Sequence, residues 1–235
     1  MSKSYFKLER KLIQAGYDWV IGIDEAGRGP LAGPVVACAC TLIRPSGIFS
    51  CQREKGVLKK YNLIRDSKML SEKQREGLYD FILENFYIGV GICDHKTIDR
   101  INILQAAFLA MNKAIASLAR IMKRELRSKN KKSVMYDSKF IILVDGNRTI
   151  PNCSYEQRAI IGGDKLVKSI SAASIIAKVT RDRIMRQMHK KHPEYHFDKH
   201  KGYGTKLHAE CLKRHGPCRI HRRSFRPVKA VDFNS

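Results

Sequence analysis

The stretch Ile21-Gly22-Ile23-Asp24-Glu25-Ala26-Gly27-Arg28-Gly29-Pro30 decides how this chain is read. An apolar run of strand character halts at two adjacent carboxylates, and a glycine-rich turn with one arginine follows at once. Neighbouring acids at a strand end repel one another. A divalent cation turns that repulsion into attraction, because hard ions such as Mg²⁺ prefer carboxylate oxygen. Glycines admit backbone N–H groups to a ligand that a β-carbon would hold off. Acids for a cation, with backbone donors and a guanidinium for phosphate, suit phosphodiester chemistry. A lone Asp-Glu pair is more simply a polar strand end, so the rest of the chain has to decide.

Outward from this stretch, residues 19–23 and 35–43 form two apolar, β-branched strands joined by the Gly/Pro turn. Residues 44–66 are mixed and polar, a surface excursion. A helix starts at Ser71, with Lys73, Gln74 and Leu78, and a third strand covers 86–92. From Thr97 onward, Ile98, Ile101, Leu104, Phe108, Met111, Ile115, Leu118 and Met122 recur every three or four residues, the period of a long amphipathic helix. Its end passes into a solvated charge run at 124–132. A strand at 140–144 ends on Asp145, and another at 157–161 is closed by Gly162-Gly163-Asp164-Lys165. A second helix spans about 172–189, with Ala173, Ile176, Ala177, Ile184 and Met188 inward. A short one over 205–215 ends at Gly216, a favourable C′ residue. Strands early and helices late predict an α/β fold. It divides into an extension at 1–17, a core at 18–192 and a basic helical lobe at 193–235 packed on that core.

Lys and Arg number 45 against 22 Asp and Glu, a formal net charge of +23 over 235 residues. Such an excess favours a polyanionic partner. A membrane partner is disfavoured: the longest uncharged run, 29–43, contains Pro30 and Pro34 and falls short of the roughly 20 residues a spanning helix needs. The N-terminus lacks a secretory pattern. The 7 cysteines include no Cys-x-x-Cys, which points to reduced thiols and a cytoplasmic setting. Cys38 and Cys40 share one strand face as small core residues. Cys211, His215 and Cys218 lack a second ligand pair with zinc spacing, and Pro193 breaks any helix that would align His192, His196 and His200.

Three strand-like segments thus end in acids: Asp24-Glu25, Asp145 and Asp164. Ligands bind at strand ends in open α/β sheets. Carboxylates gathered there call for cations, and a pair of divalent ions serves an in-line phosphoryl displacement. Asp182 is a rival fourth acid, but Lys178 and Arg186 stand four residues either side of it, an ordinary helical ion-pair arrangement. The two glycines before Asp164 favour that residue instead. A P-loop, a Rossmann glycine fingerprint and a Gly-x-Ser-x-Gly elbow are all missing.

The string from Gly22 to Val35 closely resembles the opening block of bacterial ribonuclease HII. Similar to later blocks of that family, in the same order, are Asp66-Ser67-Lys68-Met69-Leu70-Ser71, Ile98-Asp99-Arg100-Ile101-Asn102-Ile103-Leu104-Gln105-Ala106, Val144-Asp145-Gly146-Asn147, Gly163-Asp164 with the run from Ser171 to Asp182, and His200-Lys201-Gly202-Tyr203-Gly204-Thr205. The resemblance implies a ribonuclease H-like mixed β-sheet flanked by helices. It also implies metal-dependent cleavage of RNA in RNA–DNA hybrids and of the 5′ side of single ribonucleotides in duplex DNA, leaving 3′-hydroxyl and 5′-phosphate ends. By the same resemblance Asp24, Glu25, Asp145 and Asp164 are the catalytic, metal-holding carboxylates for two Mg²⁺ or Mn²⁺ ions, and Gly27, Arg28, Gly29 and Tyr203 read the ribonucleotide junction. Lys68, Lys199, Lys201 and Arg222-Arg223 are candidate phosphate contacts. The expected partners are nucleic-acid duplexes, with no small-molecule cofactor, and the expected state is a monomer. The segments 1–17, 44–64 and 124–139 look longer than is usual in that family. The related type HIII group usually has an added N-terminal domain and another residue where Arg28 stands. A non-catalytic, basic RNA-binding protein is the alternative, but such a protein has no use for carboxylates facing its phosphates.

Overall fold

Alternation along β1 (Trp19–Ala26) sets the layers of the molecule. Successive side chains point to opposite faces of a strand. Trp19, Ile21 and Ile23 enter one core and Val20 another, on the opposite face. The computed structural model describes residues 6–43, 55–65, 67–128 and 138–232. Within them β1 is preceded by α1 (Lys7–Gln14) and followed by β2 (Val35–Leu42), α2 (Lys55–Leu63), α3 (Glu72–Asn85) and β3 (Phe86–Cys93). Then come α4 (His95–Ser128), β4 (Phe140–Asp145), β5 (Glu156–Ile160), α5 (Gly163–Leu166) and α6 (Lys168–Lys191), and finally α7 (Phe197–His200), α8 (Lys206–His215) and α9 (Arg226–Asp232). The sheet is mixed, in the order β3-β2-β1-β4-β5. β1, β2 and β3 pair antiparallel, whereas β1, β4 and β5 pair parallel.

α4 covers one face of the sheet, with Ala106, Ala110, Ala114 and Leu118 against Ile21, Ile23, Val35, Ala37 and Ala39. α6 covers the other, where Ala172, Ala173, Ile176 and Ala177 meet Cys38, Cys40 and Leu42. Burying each large apolar side chain contributes about 1.5–3 kcal/mol, so these two faces dominate the stability. Gly22 lets α6 come this close: a β-carbon there would stand 2.2 Å from the backbone of Ser169. By length and composition alone His95–Glu125 could cross a membrane. In this fold its small residues instead bury against the sheet.

Three segments differ from the expectations above. The long helix is broken at Asn102 (φ 63, ψ 166), whose Oδ1 accepts hydrogen bonds from the amides of Leu104 and Gln105 at 3.0 and 3.1 Å. Asn102 therefore caps a new helix start, and the apolar period runs through the break because both pieces share one face. The surface excursion becomes α2, with Tyr61 (1% exposed) and Ile64 (0%) in the core beside Phe81 and Phe86. Residues 44–54 and 66 lie outside the described residues, as do 129–137, which include the end of the charge run. In α1, Glu9 is buried and accepts a hydrogen bond from the amide of Ser169 at 3.0 Å, satisfying a donor at the start of α6. Burial raises its pKa.

The C-terminal segment packs Tyr195, Phe197, Cys211 and Ile220 on Met185 and Ala32. Buried among them, His208 Nδ1 donates to the Tyr203 carbonyl at 3.0 Å, leaving its Nε2 to accept from His221 Nε2 at 2.9 Å. His200 stacks on His208 at 4.4 Å and accepts from the Gly202 amide. A proton added to His208 would set N–H against N–H. Burial accordingly lowers the pKa of His208 to about 4, and burial with His208 nearby lowers that of His221 to about 3. The unfolded chain therefore takes up protons first, below about 6.5. This stabilisation is complete above that pH and drains away as pH falls toward 4. Thermal unfolding between pH 7 and 4.5 should show a falling Tm, with a shallower slope in His208→Asn; an unchanged slope would contradict the buried neutral network.

Candidate active site

In the parallel register Ile23 pairs with Val144, so Asp24 and Asp145 stand side by side just past the last parallel pair, while β1 runs on beside β2 to Ala26. Neighbouring strands lie about 4.8 Å apart. Asp24 follows Val20, and Asp145 follows Ile141 and Leu143, at even spacing; these three apolar residues share the α6-facing core. Both carboxylates therefore emerge on the α6 side. Asp24 is only 7% exposed and accepts from the Glu25 amide at 2.7 Å. Ser174 of α6 stands near enough to favour the ionised form of Asp24, and the Ser174 hydroxyl meets that of Ser67 at 2.8 Å. Burial holds the Asp24 pKa well above the usual carboxylate range, and the negative charges of Glu25 and Asp145 add to the effect. Burial raises Glu25 too, against the pull of Arg28, whose Nη1 donates to Glu25 at 3.2 Å.

Asp164 sits in the first turn of α5, 5% exposed, and its amide donates to Asp145 Oδ1 at 3.3 Å. Lys68 Nζ, on the 3₁₀ turn Ser67–Met69, stands 3.9 Å from its carboxylate. The rival Asp182 is buried against Lys178 at 2.6 Å. It lies eight residues beyond Ser174, about 12 Å along the helix. Arg186, expected to flank Asp182, instead binds Glu76 at 2.7 Å and Glu72 at 3.3 Å.

Among the described residues, no three His, Cys, Asp or Glu side chains already stand as a set that could hold a metal ion. Glu25 is turned to Arg28, Asp145 to the Asp164 amide, and Asp164 toward Lys68. The donor chemistry nevertheless suits a hard divalent cation, all of it carboxylate oxygen. Asp24 is buried beside two like charges, a repulsion that such an ion removes.

Beside the acids, Gly27 takes φ +99 and a β-carbon on it would stand 2.2 Å from Arg181 Nε, so the turn packs on that arginine. Gly29 instead faces Tyr203: its β-carbon position is 3.9 Å from Tyr203 Cε1 and meets nothing else. The Tyr203 ring is 41% exposed and lies 5.7 Å from the Arg181 guanidinium and 5.9 Å from Lys178 Nζ. Arg28, Lys68, Lys199 and Arg223 are open to solvent. Two expected phosphate contacts, Arg222 and Lys201, are instead buried. Arg222 is fully buried, with its guanidinium on backbone carbonyls. Lys201 is buried to 8% exposure, bonded to the Asp198 carbonyl and 3.7 Å from Glu72. Sequence reasoning missed Ser67, Ser174 and Arg181. For Arg181 a signal existed: it continues the inward stripe Ala173, Ala177, Met185 at four-residue steps.

A mixed sheet of this order, flanked by α4 and α6 and ending in carboxylates, is a ribonuclease H-like fold. The ribonuclease H2 from Pyrococcus horikoshii superposes with a TM-score of 0.63, at 26% identity over 92% of this chain and 98% of its own. The chain belongs to the ribonuclease HII family, whose profile matches residues 21–228. It is 45% identical to a ribonuclease HII of Caldicellulosiruptor bescii over 95% of this chain and 94% of that protein. A Chlamydia trachomatis ribonuclease HII is 46% identical over 97% and 90%.

Asp24→Asn removes one of the repelling charges and keeps the shape. Without metal it should raise Tm by ~2–4 °C, which corresponds to about 1 kcal/mol for a chain of this size. Mn²⁺ should raise the Tm of the unmutated protein and not that of the variant, since a ligand bound only by the native state stabilises it. A lowered Tm in Asp24→Asn without metal would show that the repulsion is not there.

Proposed function

We propose that this type HII ribonuclease H is divalent-metal-dependent, and that besides the RNA strand of RNA–DNA hybrids it cuts the 5′ side of single ribonucleotides in duplex DNA. The products are 3′-hydroxyl and 5′-phosphate ends. The supporting observation is the buried Asp24 lying beside Asp145 where β1 and β4 stop pairing. Asp24, Glu25, Asp145 and Asp164 would hold two Mg²⁺ or Mn²⁺ ions. Bound there, the ions supply Lewis-acid neutralisation of charge on the reacting phosphodiester.

The chain's own residues position the substrate. Arg28 is held beside Glu25, and its exposed guanidinium suits a phosphate oxygen. Lys68, 3.9 Å from Asp164, and Lys199, four residues before Tyr203, offer exposed ammonium groups. Protein tells RNA from DNA through the 2′-hydroxyl. The open backbone at Gly29 can approach that group, with the Tyr203 ring against the neighbouring sugar. Much of the catalysis is then positioning and charge neutralisation, as in phosphoryl transfer generally.

A duplex carrying one ribonucleotide should be cut on its 5′ side with Mg²⁺ and left intact with chelator. Cleavage in neither condition would favour a nucleic-acid-binding module. Asp145→Asn should slow cleavage by ~10²–10³-fold, the scale of losing one electrostatic contact to the transition state. Asp164→Asn should lose far more activity than Asp182→Asn, and the reverse order would reassign the fourth acid.

A further inference from the structure

Arg181 of α6 and Arg222 beyond α8 are both 0% exposed. A buried cation is costly unless its donors are satisfied, and here backbone carbonyls satisfy them. Arg181 Nε donates to Pro34 at 2.9 Å, Nη2 to Ala32 at 3.1 Å and Nη1 to Lys201 at 2.9 Å. Arg222 Nε donates to Gly33 at 3.0 Å, Nη1 to Arg28 at 2.9 Å, and Nη2 to Gly27 at 2.6 Å and Pro34 at 3.2 Å. Every one of these acceptors lies in the turn from Gly27 to Pro34 or just ahead of Tyr203.

For stability alone, an apolar side chain of similar volume often does as well as a buried charge. A guanidinium supplies something else, five donors in a rigid planar fork. That fork ties together segments far apart in the sequence. Arg181 holds the turn through Pro34 and Ala32 and the tyrosine loop through Lys201, and its guanidinium lies under the Tyr203 ring. Gly27 and Gly33 keep the turn wrapped on this group: a β-carbon on Gly33 would stand 2.3 Å from Met185 Sδ and 3.6 Å from Arg181 Nη2. Arg222 gathers both ends of the turn through Gly27 and Pro34.

We propose that Arg181 and Arg222 are positioning residues that fix the spacing between the Gly27-Arg28-Gly29 turn and Tyr203, and so set the preference for a single ribonucleotide over a continuous RNA tract. The proposal rests on the reading that this turn and Tyr203 address the ribonucleotide. A tract offers a 2′-hydroxyl in every register, so a displaced reader still finds one. An isolated ribonucleotide offers a single register, so the same displacement is felt in full.

Arg181→Lys and Arg222→Lys keep the charge but lose the fork. Each should lower kcat/KM on a one-ribonucleotide duplex by ~10²-fold, the scale of an ångström's misplacement, with a much smaller loss on an RNA–DNA hybrid. Adding Tyr203→Ala to Arg181→Lys should cost little beyond the worse single variant, because both act through one element. Equal losses on the two substrates, or multiplying losses in the double variant, overturn the proposal. If Tyr203→Ala alone leaves one-ribonucleotide cleavage unchanged, the underlying junction reading fails. If Tyr203→Ala is selective and the lysine variants are not, only the positioning role fails. Should the lysine variants not fold, guanidinium Nε–H resonances of the unmutated protein decide. Recorded in chelator, they should shift with the one-ribonucleotide duplex and not with an all-DNA duplex of the same sequence; identical spectra overturn the proposal.

Discussion

The rest of the structure depends on two like charges set side by side where β1 and β4 stop pairing, one of them, Asp24, held out of water. Asp24 and Asp145 are brought together by the register of β1 on β4, and that register follows from the apolar alternation that divides the sheet between α4 and α6. A chain selected for stability alone would separate them. Here α6 is drawn close over Gly22, and its Ser174 stands near Asp24. The turn after β1 is held against the same helix. The packing thus holds an unfavourable charge arrangement in place, which is the usual condition of a site built for a cation.

The second layer of the design is a division of labour between cations. Exposed ones, such as Arg28 beside Glu25 and Lys68 beside Asp164, face solvent at the acids. Buried ones, Arg181 and Arg222, face inward and organise backbone. The C-terminal segment serves the second group. Its amide at Arg222 bonds to the Leu31 carbonyl at 2.8 Å, and Ala32 bridges to His221. A neutral histidine network holds the Tyr203 carbonyl from the other side. The lobe is therefore part of the site's frame.

Much of this was legible in the sequence. Strands ending in acids, the two inward helices and the Gly-rich turn follow from local pattern, and ordered motif blocks pointed to the family. What escaped was non-local. Arg222 lies in a basic cluster beside Arg223, and only tertiary packing separates a buried guanidinium from a solvated one. Lys201 escaped for the same reason. Tyr61 and Ile64 sit in a polar stretch whose composition outweighed two core residues. The break at Asn102 hides because the helices on either side keep one apolar face. Glu9, in a segment that looked peripheral, reaches Ser169 across 160 positions. No periodicity carries such a contact.

The positions of the bound cations are the most direct test. Anomalous diffraction from Mn²⁺ in crystals grown with a one-ribonucleotide duplex should show two ions held by the carboxylates of Asp24, Glu25, Asp145 and Asp164. An ion bound by Asp182, or none within reach of Asp24, would contradict that arrangement.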